Sequence, residues 1–203
     1  KAKNPDKVKK WKAKARDVYY RRTKQKSKRY QIAKKLWIAK KFKDEEAIYF
    51  PHVMDWRGRI YPLPNHINPQ NDDLAKGLLE FAEGKRLGKS GARWLKINLA
   101  NKFGKDKISF SERIGWVEKH HDEILKSAED PFRNRFWEEA DDPWQFLANC
   151  FEYKGYTEEG VDYVSHLPVN VDGSCNGLQN FSGMLLDREG GKNVNLTPSE
   201  KPR

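Results

Sequence analysis

The first stretch of the chain has the pattern of a long helix. Residues 7–43 contain neither glycine nor proline and are rich in Lys, Arg and Ala, which favour helix. Apolar side chains recur at helical spacing near both ends, whereas residues 21–29 have almost no apolar face. The pattern predicts one long helix or two helices joined in the middle. The apolar positions are Trp11, Ala15, Val18, Tyr19, Ile32, Leu36, Ala39 and Phe42.

A β-hairpin is predicted next. Residues 47–51 are β-like and end at a proline, and residues 56–61 alternate in polarity. The alternation places Arg57 and Arg59 on one face of the second strand. Residues 52–55 are expected to form the turn between the two strands.

Two neighbours of these arginines have structural interpretations. Asp55 is the nearest carboxylate, and we expect it to position the loop rather than to catalyse a reaction. Trp56 is interpreted as a packing anchor, with stacking on a nucleic-acid base as the alternative. A pair of arginines on a strand face is more often solvated or paired with carboxylates than bound to a ligand.

The middle of the chain has the capping and periodic signals of helices. The first two predicted helices run from Asp72 to Gly84 and over residues 90–102. A third follows the capping box of Ser109 and Glu112. A fourth starts at Pro143 and precedes a loop bounded by Gly155 and Gly160.

An apolar run near the end of the chain terminates on an acidic residue. Residues 167–171 are predicted to form a strand that ends at Asp172, and residues 175–186 to form a helix. A carboxylate at a strand end is well placed to hold a divalent metal against a phosphate. The inward face of the helix is predicted to consist of Leu178, Phe181 and Leu185.

Charge is distributed unevenly along the chain. The formal net charge is +11, and residues 1–43 contain 19 Lys and Arg against only Asp6 and Asp17. The remainder contains 21 basic and 27 acidic residues, so the basic excess lies entirely in the first segment. Dense positive charge interleaved with aromatic residues favours nucleic-acid binding. A merely solvated helix is the alternative.

Composition excludes several classes of protein. No apolar run approaches the roughly 18 residues that a membrane span requires, and no apolar segment typical of a signal peptide follows the basic start. The two cysteines, Cys150 and Cys175, form no disulfide framework and indicate a reduced compartment.

Two short motifs point to one kind of chemistry. Residues 55–59 are Asp-Trp-Arg-Gly-Arg, and residues 172–179 are Asp-Gly-Ser-Cys-Asn-Gly-Leu-Gln. Together they resemble a palm segment and motif A of the single-subunit, bacteriophage-type DNA-dependent RNA polymerases. The resemblance covers nearly the whole chain and is weakest in residues 1–40. Further matches are Phe-Pro at 50–51, Asn-Pro-Gln at 68–70, Lys-Gly-Leu-Leu at 76–79, Phe-Glu-Tyr at 151–153 and Asn-Leu-x-Pro-Ser-Glu at 195–200.

The resemblance implies a site for phosphoryl transfer. Asp172 is then the catalytic residue that binds the metals, and the carbonyl of Gly173 is a further metal ligand. Arg57, Arg59 and Lys76 are implied to bind nucleic acid, the arginines at the template or the RNA–DNA hybrid. The implied cofactor is Mg²⁺, in a two-metal site completed by a second Asp outside this chain. No other cofactor is implied.

The same residues have ordinary alternatives. An Asp before a Gly, as at Asp172, is more often a turn former than a metal ligand. Lys76 on its helix could equally be a surface lysine or a contact to a template phosphate.

The implied fold is α+β and mostly helical, a partial polymerase palm with a small antiparallel sheet and a helical insertion. The sheet is expected to hold both the arginine hairpin and the Asp172 strand. The expected parts are a basic helical arm from the end of the thumb region at 1–43, a palm part at 44–83, a helical palm insertion at 84–160, and a palm strand and helix at 161–203.

The implied function is that of a fragment of a DNA-directed RNA polymerase, a nucleotidyltransferase that transcribes DNA into RNA from nucleoside triphosphates. A helix cap near residues 195–200 with no helix after it suggests a fragment, which we expect to be inactive alone. Its expected partners are the DNA template, the RNA transcript, nucleoside triphosphates and the remainder of the polymerase chain, with no membrane. The expected location is the cytoplasm of an infected bacterial host.

Two other functions remain open on the residues alone. The basic arm could serve a non-catalytic nucleic-acid-binding module, which would need no Mg²⁺. A metal-dependent phosphodiesterase that pairs Asp172 with Asp187 or Asp162 is the weaker alternative, since neither spacing resembles a known nuclease motif.

Overall fold

The computed structural model describes residues 5–171, 173 and 175–198. The chain divides into two compact units, Lys1–Asn71 and Asp72–Arg203. The prediction of an α+β, mostly helical fold with a small antiparallel sheet is confirmed. The division into four palm and thumb parts stays a prediction. Within the described ranges, no helix combines the length and the apolar character needed to span a bilayer.

The first unit contains one long helix and one hairpin. Helix α1, Pro5–Phe42, is continuous, which decides between the two predicted arrangements. Strands β1, His52–Met54, and β2, Ile60–Pro62, pair antiparallel. The hairpin is therefore confirmed, but the predicted strand at residues 47–51 and the predicted turn at 52–55 are wrong. The loop begins three residues further along the chain than predicted, because the amide of Asp55 donates to the carbonyl of Arg59 across it.

The second unit is built mainly from helices. Its first strand, β3 (Lys85–Arg86), pairs antiparallel with β4 (Val164–Ser165). Short 3₁₀ helices occupy Arg135–Glu139 and Gly160–Asp162. The α-helices are α2 Asp73–Gly77, α3 Gly88–Phe103, α4 Phe110–Lys119, α5 His121–Glu129, α6 Pro143–Glu159, α7 Asn176–Met184 and α8 Arg188–Asn193.

The hydrophobic core lies among helices α3 to α6. Phe146 is fully buried at its centre, and the ring of Phe103 meets it edge-on at 5.2 Å while stacking on Phe136 at 4.9 Å. Burial of apolar side chains such as these is the dominant favourable contribution to folding. Other core members are Leu95, Leu99, Ala100, Val117, Ile124, Ala128, Trp137, Ala140, Leu147, Cys150 and Tyr153.

The capping signals of these helices are confirmed, but two glycine boundaries are wrong. Ser109 and Glu112 form the predicted capping box. Helix α2 ends at Gly77 rather than at Gly84, and Gly155 lies inside α6. A Cβ on Gly84 would lie 2.5 Å from the ring of His166, and one on Gly155 would collide with a tyrosine ring. Both glycines therefore permit close packing against a ring, and neither marks the boundary of a helix or loop.

The predicted strand before Asp172 is not present. Residues 166–171 form no strand, and Val169 and Val171 are exposed. A strand is held by hydrogen bonds to a neighbour, and none of the described residues pairs with this segment. The expectation that one sheet joins the arginine hairpin to this strand is also wrong, since β1 pairs only with β2 among the described strands.

The predicted inward face of the last helix is also wrong. Helix α7 forms, but Leu178, Phe181 and Leu185 are exposed. Periodicity identifies an apolar face correctly and cannot say what covers it.

Candidate functional site

The arginine motif forms a tight hairpin loop. The amide of Asp55 donates to the carbonyl of Arg59 at 2.8 Å, and the amide of Gly58 donates back to Asp55 at 3.0 Å. Gly58 has φ +77°, and nothing would lie within 4 Å of an added Cβ. Glycine is therefore favoured there by backbone conformation and not by space. A loop of three residues closed by a left-handed glycine is a common hairpin connection.

The Asp55 carboxylate organises this loop, as predicted. Its Oδ1 accepts from the amides of Arg57 and Arg59 at 2.9 and 3.0 Å. Its Oδ2 accepts from Nε and Nη2 of Arg57 at 3.0 and 2.8 Å. The backbone hydrogen bond from Arg59 is the largest cause of a lowered pKa at Asp55, desolvation opposes it, and the bonds from Arg57 lower the pKa further.

Protonation of Asp55 is therefore expected to loosen the loop. A carboxyl whose folded pKa lies below its ordinary 3.8 stabilises the fold above pH 3.8, and this contribution is lost as the pH falls through the folded value. In an NMR titration of the chain, the amide signals of Arg57 and Arg59 should move in that acid range toward their positions in Asp55→Ala. Signals that stay constant through the titration would contradict this role.

The two guanidinium groups differ in their surroundings. Arg57 is paired with Asp55, approaches the hydroxyl of Tyr61 at 3.3 Å and lies 5.6 Å from the ring centroid of Trp56. Arg59 is exposed and its side chain makes no hydrogen bond or salt bridge to another described residue. The predicted placement on one strand face is wrong, because Arg57 lies in the loop and Arg59 closes it. Arg59 therefore has the more available charge.

Trp56 does not pack as predicted. Its side chain is 92% exposed at the tip of the loop, so it is not an anchor within the described residues. An exposed ring beside two arginines is compatible with the stacking alternative.

Lys76 lies in the last turn of α2 and is half-buried. The helix is tied to the start of α6, because the Asp73 carboxylate accepts from the amides of Trp144 and Gln145 at 2.8 and 3.0 Å. Arg57 and Arg59 belong to the first compact unit, and Lys76 and Gly173 belong to the second. A contact of Lys76 with nucleic acid stays a prediction.

The second motif is only partly described. Asp172, the predicted catalytic residue, lies outside the described residues, as does Ser174. A Cβ on Gly173 would lie 2.5 Å from Oδ1 of Asn176, so a larger residue there would require the Asn176 side chain to move. Cys175 has φ +59° and precedes α7, and a left-handed conformation is strained for a residue other than glycine.

A comparison with protein families decides what these motifs belong to. The family model described as DNA-dependent RNA polymerase matches residues 85–203, which include the second motif. The chain belongs to the DNA-dependent RNA polymerase family.

Individual polymerases are similar over almost the whole chain. The DNA-directed RNA polymerase of Enterobacteria phage T3 is 49% identical over 193 residues, covering 95% of this chain and 22% of its own length. T7 RNA polymerase of Escherichia phage T7 is 47% identical over 197 residues, covering 97% of this chain and 22% of its own length. An Arabidopsis thaliana DNA-directed RNA polymerase, named as chloroplastic/mitochondrial, is 45% identical over 202 residues. The chain thus spans about a fifth of the length of the curated relatives it matches.

The described residues of this polymerase segment do not form a magnesium site by themselves. Within residues 5–171, 173 and 175–198, no group of three or more His, Cys, Asp or Glu side chains could hold a metal ion. Mg²⁺ prefers carboxylate oxygens, and at the second motif the described groups are a backbone glycine and neutral side chains. A metal site at this motif would need acidic ligands in addition to these described groups.

An open polar cleft of about 380 Å³ lies in the second unit. Its lining includes Asp106, Asp141 and Asp142, with Lys102 as its basic residue, and Asn170 from the segment before Asp172. Three carboxylates against one ammonium disfavour a triphosphate, so the cleft does not suit that ligand.

Sequence reasoning missed two residues that the structure brings together near this motif. His166 and Glu152 are hydrogen-bonded to each other through the backbone amide of His166. Glu152 lies in the Phe-Glu-Tyr match at residues 151–153, which was the available signal for it.

Proposed function

We propose that this chain is a segment of a DNA-directed RNA polymerase that transcribes DNA into RNA from nucleoside triphosphates. The observation that carries the proposal is the family match over residues 85–203, which includes the Asp-Gly-Ser-Cys motif. Relatives named as DNA-directed RNA polymerases match more than nine-tenths of the chain, including the arginine loop. The proposed setting is the cytoplasm of a phage-infected bacterium, which the phage relatives support.

In this proposal Asp172 is the catalytic carboxylate. Two Mg²⁺ ions, when bound, would stabilise charge at the attacking and leaving oxygens of the phosphoryl transfer. Asp172 and the Gly173 carbonyl would contribute ligands from this chain, and a second Asp would come from the rest of the polymerase. The absence of a side chain at Gly173 would let a metal or a triphosphate approach the backbone closely.

Arg57, Arg59 and Lys76 are the proposed nucleic-acid contacts. A guanidinium is permanently charged and donates in a fork that matches phosphate oxygens. The exposed Arg59 supports a direct phosphate contact, while Arg57 is held by Asp55 and shapes the loop. Lys76 would present a point charge to a template phosphate from α2.

The isolated chain of 203 residues is expected to be inactive. A single carboxylate cannot fix a two-metal geometry, so primer extension with Mg²⁺ and nucleotides should give no templated product. The full-length polymerase that carries this segment should give Mg²⁺-dependent RNA on the same template. Product from the isolated chain would overturn the inactive-segment proposal, and no RNA from the full-length protein would overturn the polymerase proposal.

The basic arm supports a second candidate function, non-catalytic nucleic-acid binding. Helix α1 is exposed along most of its length, and Trp11, Tyr19, Tyr20 and Trp37 are each at least 66% exposed. Exposed rings among Lys and Arg suit nucleic-acid backbones and bases. Binding that persists in EDTA, without RNA synthesis by the full-length protein, would favour this candidate.

A further inference from the structure

The segment that leads to Asp172 has little support of its own. Strand β4 ends at Ser165, and Leu167 is the last apolar residue before the motif that packs against the core. From there the chain is irregular, and Val169 and Val171 are exposed. The path of residues 168–171 therefore depends on how firmly the chain is held just before them.

His166 is the anchor at this point. Its backbone carbonyl accepts from the amide of Phe81 at 2.8 Å, and its Nδ1 lies 2.7 Å from the carbonyl of Phe81. Because a carbonyl only accepts, Nδ1 must bear the proton and donate. The backbone amide of His166 donates to Oε1 of Glu152 at 3.4 Å. We call His166 with Phe81 and Glu152 the His166 clamp.

Glu152 contributes a carboxylate in an unusual setting. Its side chain is 8% exposed, and its Oε2 accepts no hydrogen bond from the described residues. An unsatisfied buried acceptor costs stability, and such a cost calls for an explanation beyond packing. The other oxygen, Oε1, accepts from the His166 amide and so ties α6 to the segment before the motif.

Close packing holds the imidazole in place. A Cβ on Gly84 would lie 2.5 Å from Nε2 of His166 and 2.6 Å from Cγ1 of Val164. The ring therefore rests directly on the backbone at Gly84. An alanine there would push the ring aside without removing a hydrogen-bonding group.

We propose that the His166 clamp positions Asp172 for phosphoryl transfer, with His166 and Glu152 as positioning residues. This inference rests on the proposed function of Asp172. By anchoring the chain at residue 166, the clamp limits the freedom of residues 167–171, which lead to the motif. Small displacements of a catalytic group cost much rate, so the clamp should affect turnover more than stability.

The test uses the full-length polymerase that carries this segment. His166→Leu removes the Nδ1 contact to Phe81, and Glu152→Leu removes the acceptor of the His166 amide. The bond from the Phe81 amide to the His166 carbonyl remains in both variants. His166→Asn offers an amide nitrogen near the Nδ1 position, and Glu152→Gln keeps an acceptor oxygen. His121→Leu is the matched control, since His121 is a half-buried histidine bonded to Tyr153 at 3.0 Å and lies outside the segment. The measurements are deuterium uptake at residues 167–171, kcat, the Mg²⁺ concentration at half-maximal rate, and Tm.

Both leucine variants should raise deuterium uptake at 167–171, lower kcat by about tenfold and raise the Mg²⁺ requirement. The Asn and Gln variants should stay within about twofold of the parent, because they keep the contacts. His121→Leu should change Tm alone. Leucine variants with unchanged uptake and kcat, or conservative variants as impaired as the leucine ones, would overturn the proposal.

Two further variants separate folding and function. If a leucine variant does not fold, Gly84→Ala takes its place, and unchanged uptake and kcat there would overturn the clamp. Asp172→Asn should lose activity with normal uptake. An active Asp172→Asn would refute the proposed function, whereas raised uptake with normal kcat in the leucine variants would refute only the clamp.

Discussion

In the full-length polymerase that carries this segment, Asp172→Asn is expected to reduce templated RNA synthesis by about a thousandfold or more. Asparagine has nearly the same shape but lacks the charge and one of the two metal-binding oxygens. Metal ions contribute several kcal/mol of charge stabilisation to the transition state, and each loss of about 1.4 kcal/mol is a tenfold change in rate. The measurement is single-nucleotide addition at saturating nucleotide and Mg²⁺.

DNA binding separates this outcome from misfolding. The affinity of the Asp172→Asn polymerase for template should remain within about twofold, since phosphate contacts come from basic groups rather than from this carboxylate. Asp130→Asn is a suitable control, because Asp130 accepts from the amides of Phe132 and Arg133 just after α5 and has no proposed catalytic role. Turnover close to that of the parent in Asp172→Asn would refute the catalytic assignment.

Replacement of both Arg57 and Arg59 by Ala is expected to weaken the elongation complex by about tenfold or more. Hydrogen bonds to charged groups contribute about 1.5–3 kcal/mol each, and about 1.4 kcal/mol is a tenfold change in affinity. Each lost phosphate contact should also flatten the slope of log affinity against log salt by about 0.7 to 0.9. The measurement is the affinity of the complex at several salt concentrations.

The single variants should differ, because the structure separates the two arginines. Arg59→Ala should account for most of the change in slope, since Asp55 acts on its guanidinium only through space and not through a salt bridge. Arg57→Ala should change the slope less, because Asp55 already neutralises that guanidinium. Arg133→Ala is the matched control, an exposed arginine paired with Asp130. An unchanged slope in the double variant would argue against phosphate contacts at this loop.

Local signals in the sequence predicted the elements whose causes are local. The capping box of Ser109 and Glu112 and the proline at the start of α6 involve neighbouring residues, and both are confirmed. The absence of glycine and proline from residues 7–43 predicted α1 equally well. The role of Asp55 was also predictable, because its partners lie two and four residues away.

Predictions failed where distant parts of the chain decide the structure. Gly84 and Gly155 resemble helix boundaries, but rings from residues 166 and 163 pack against them. The hairpin was predicted with its strands displaced, since side-chain alternation alone did not identify the hydrogen bond between Asp55 and Arg59 that closes the loop. The strand at 167–171 failed because apolar composition does not provide a neighbouring strand.

The amino-acid order by itself determined the helical character of this chain, its basic arm and its membership in the polymerase family, because helix signals and motifs consist of residues that are close together in the sequence. The coordinates of the loop showed which of the two arginines forms a salt bridge with Asp55, and only the tertiary structure brought His166 to Phe81 and Glu152. Those contacts join residues as many as 85 positions apart. Packing of whole helices and strands brings such groups together, and no local sequence pattern predicts these contacts.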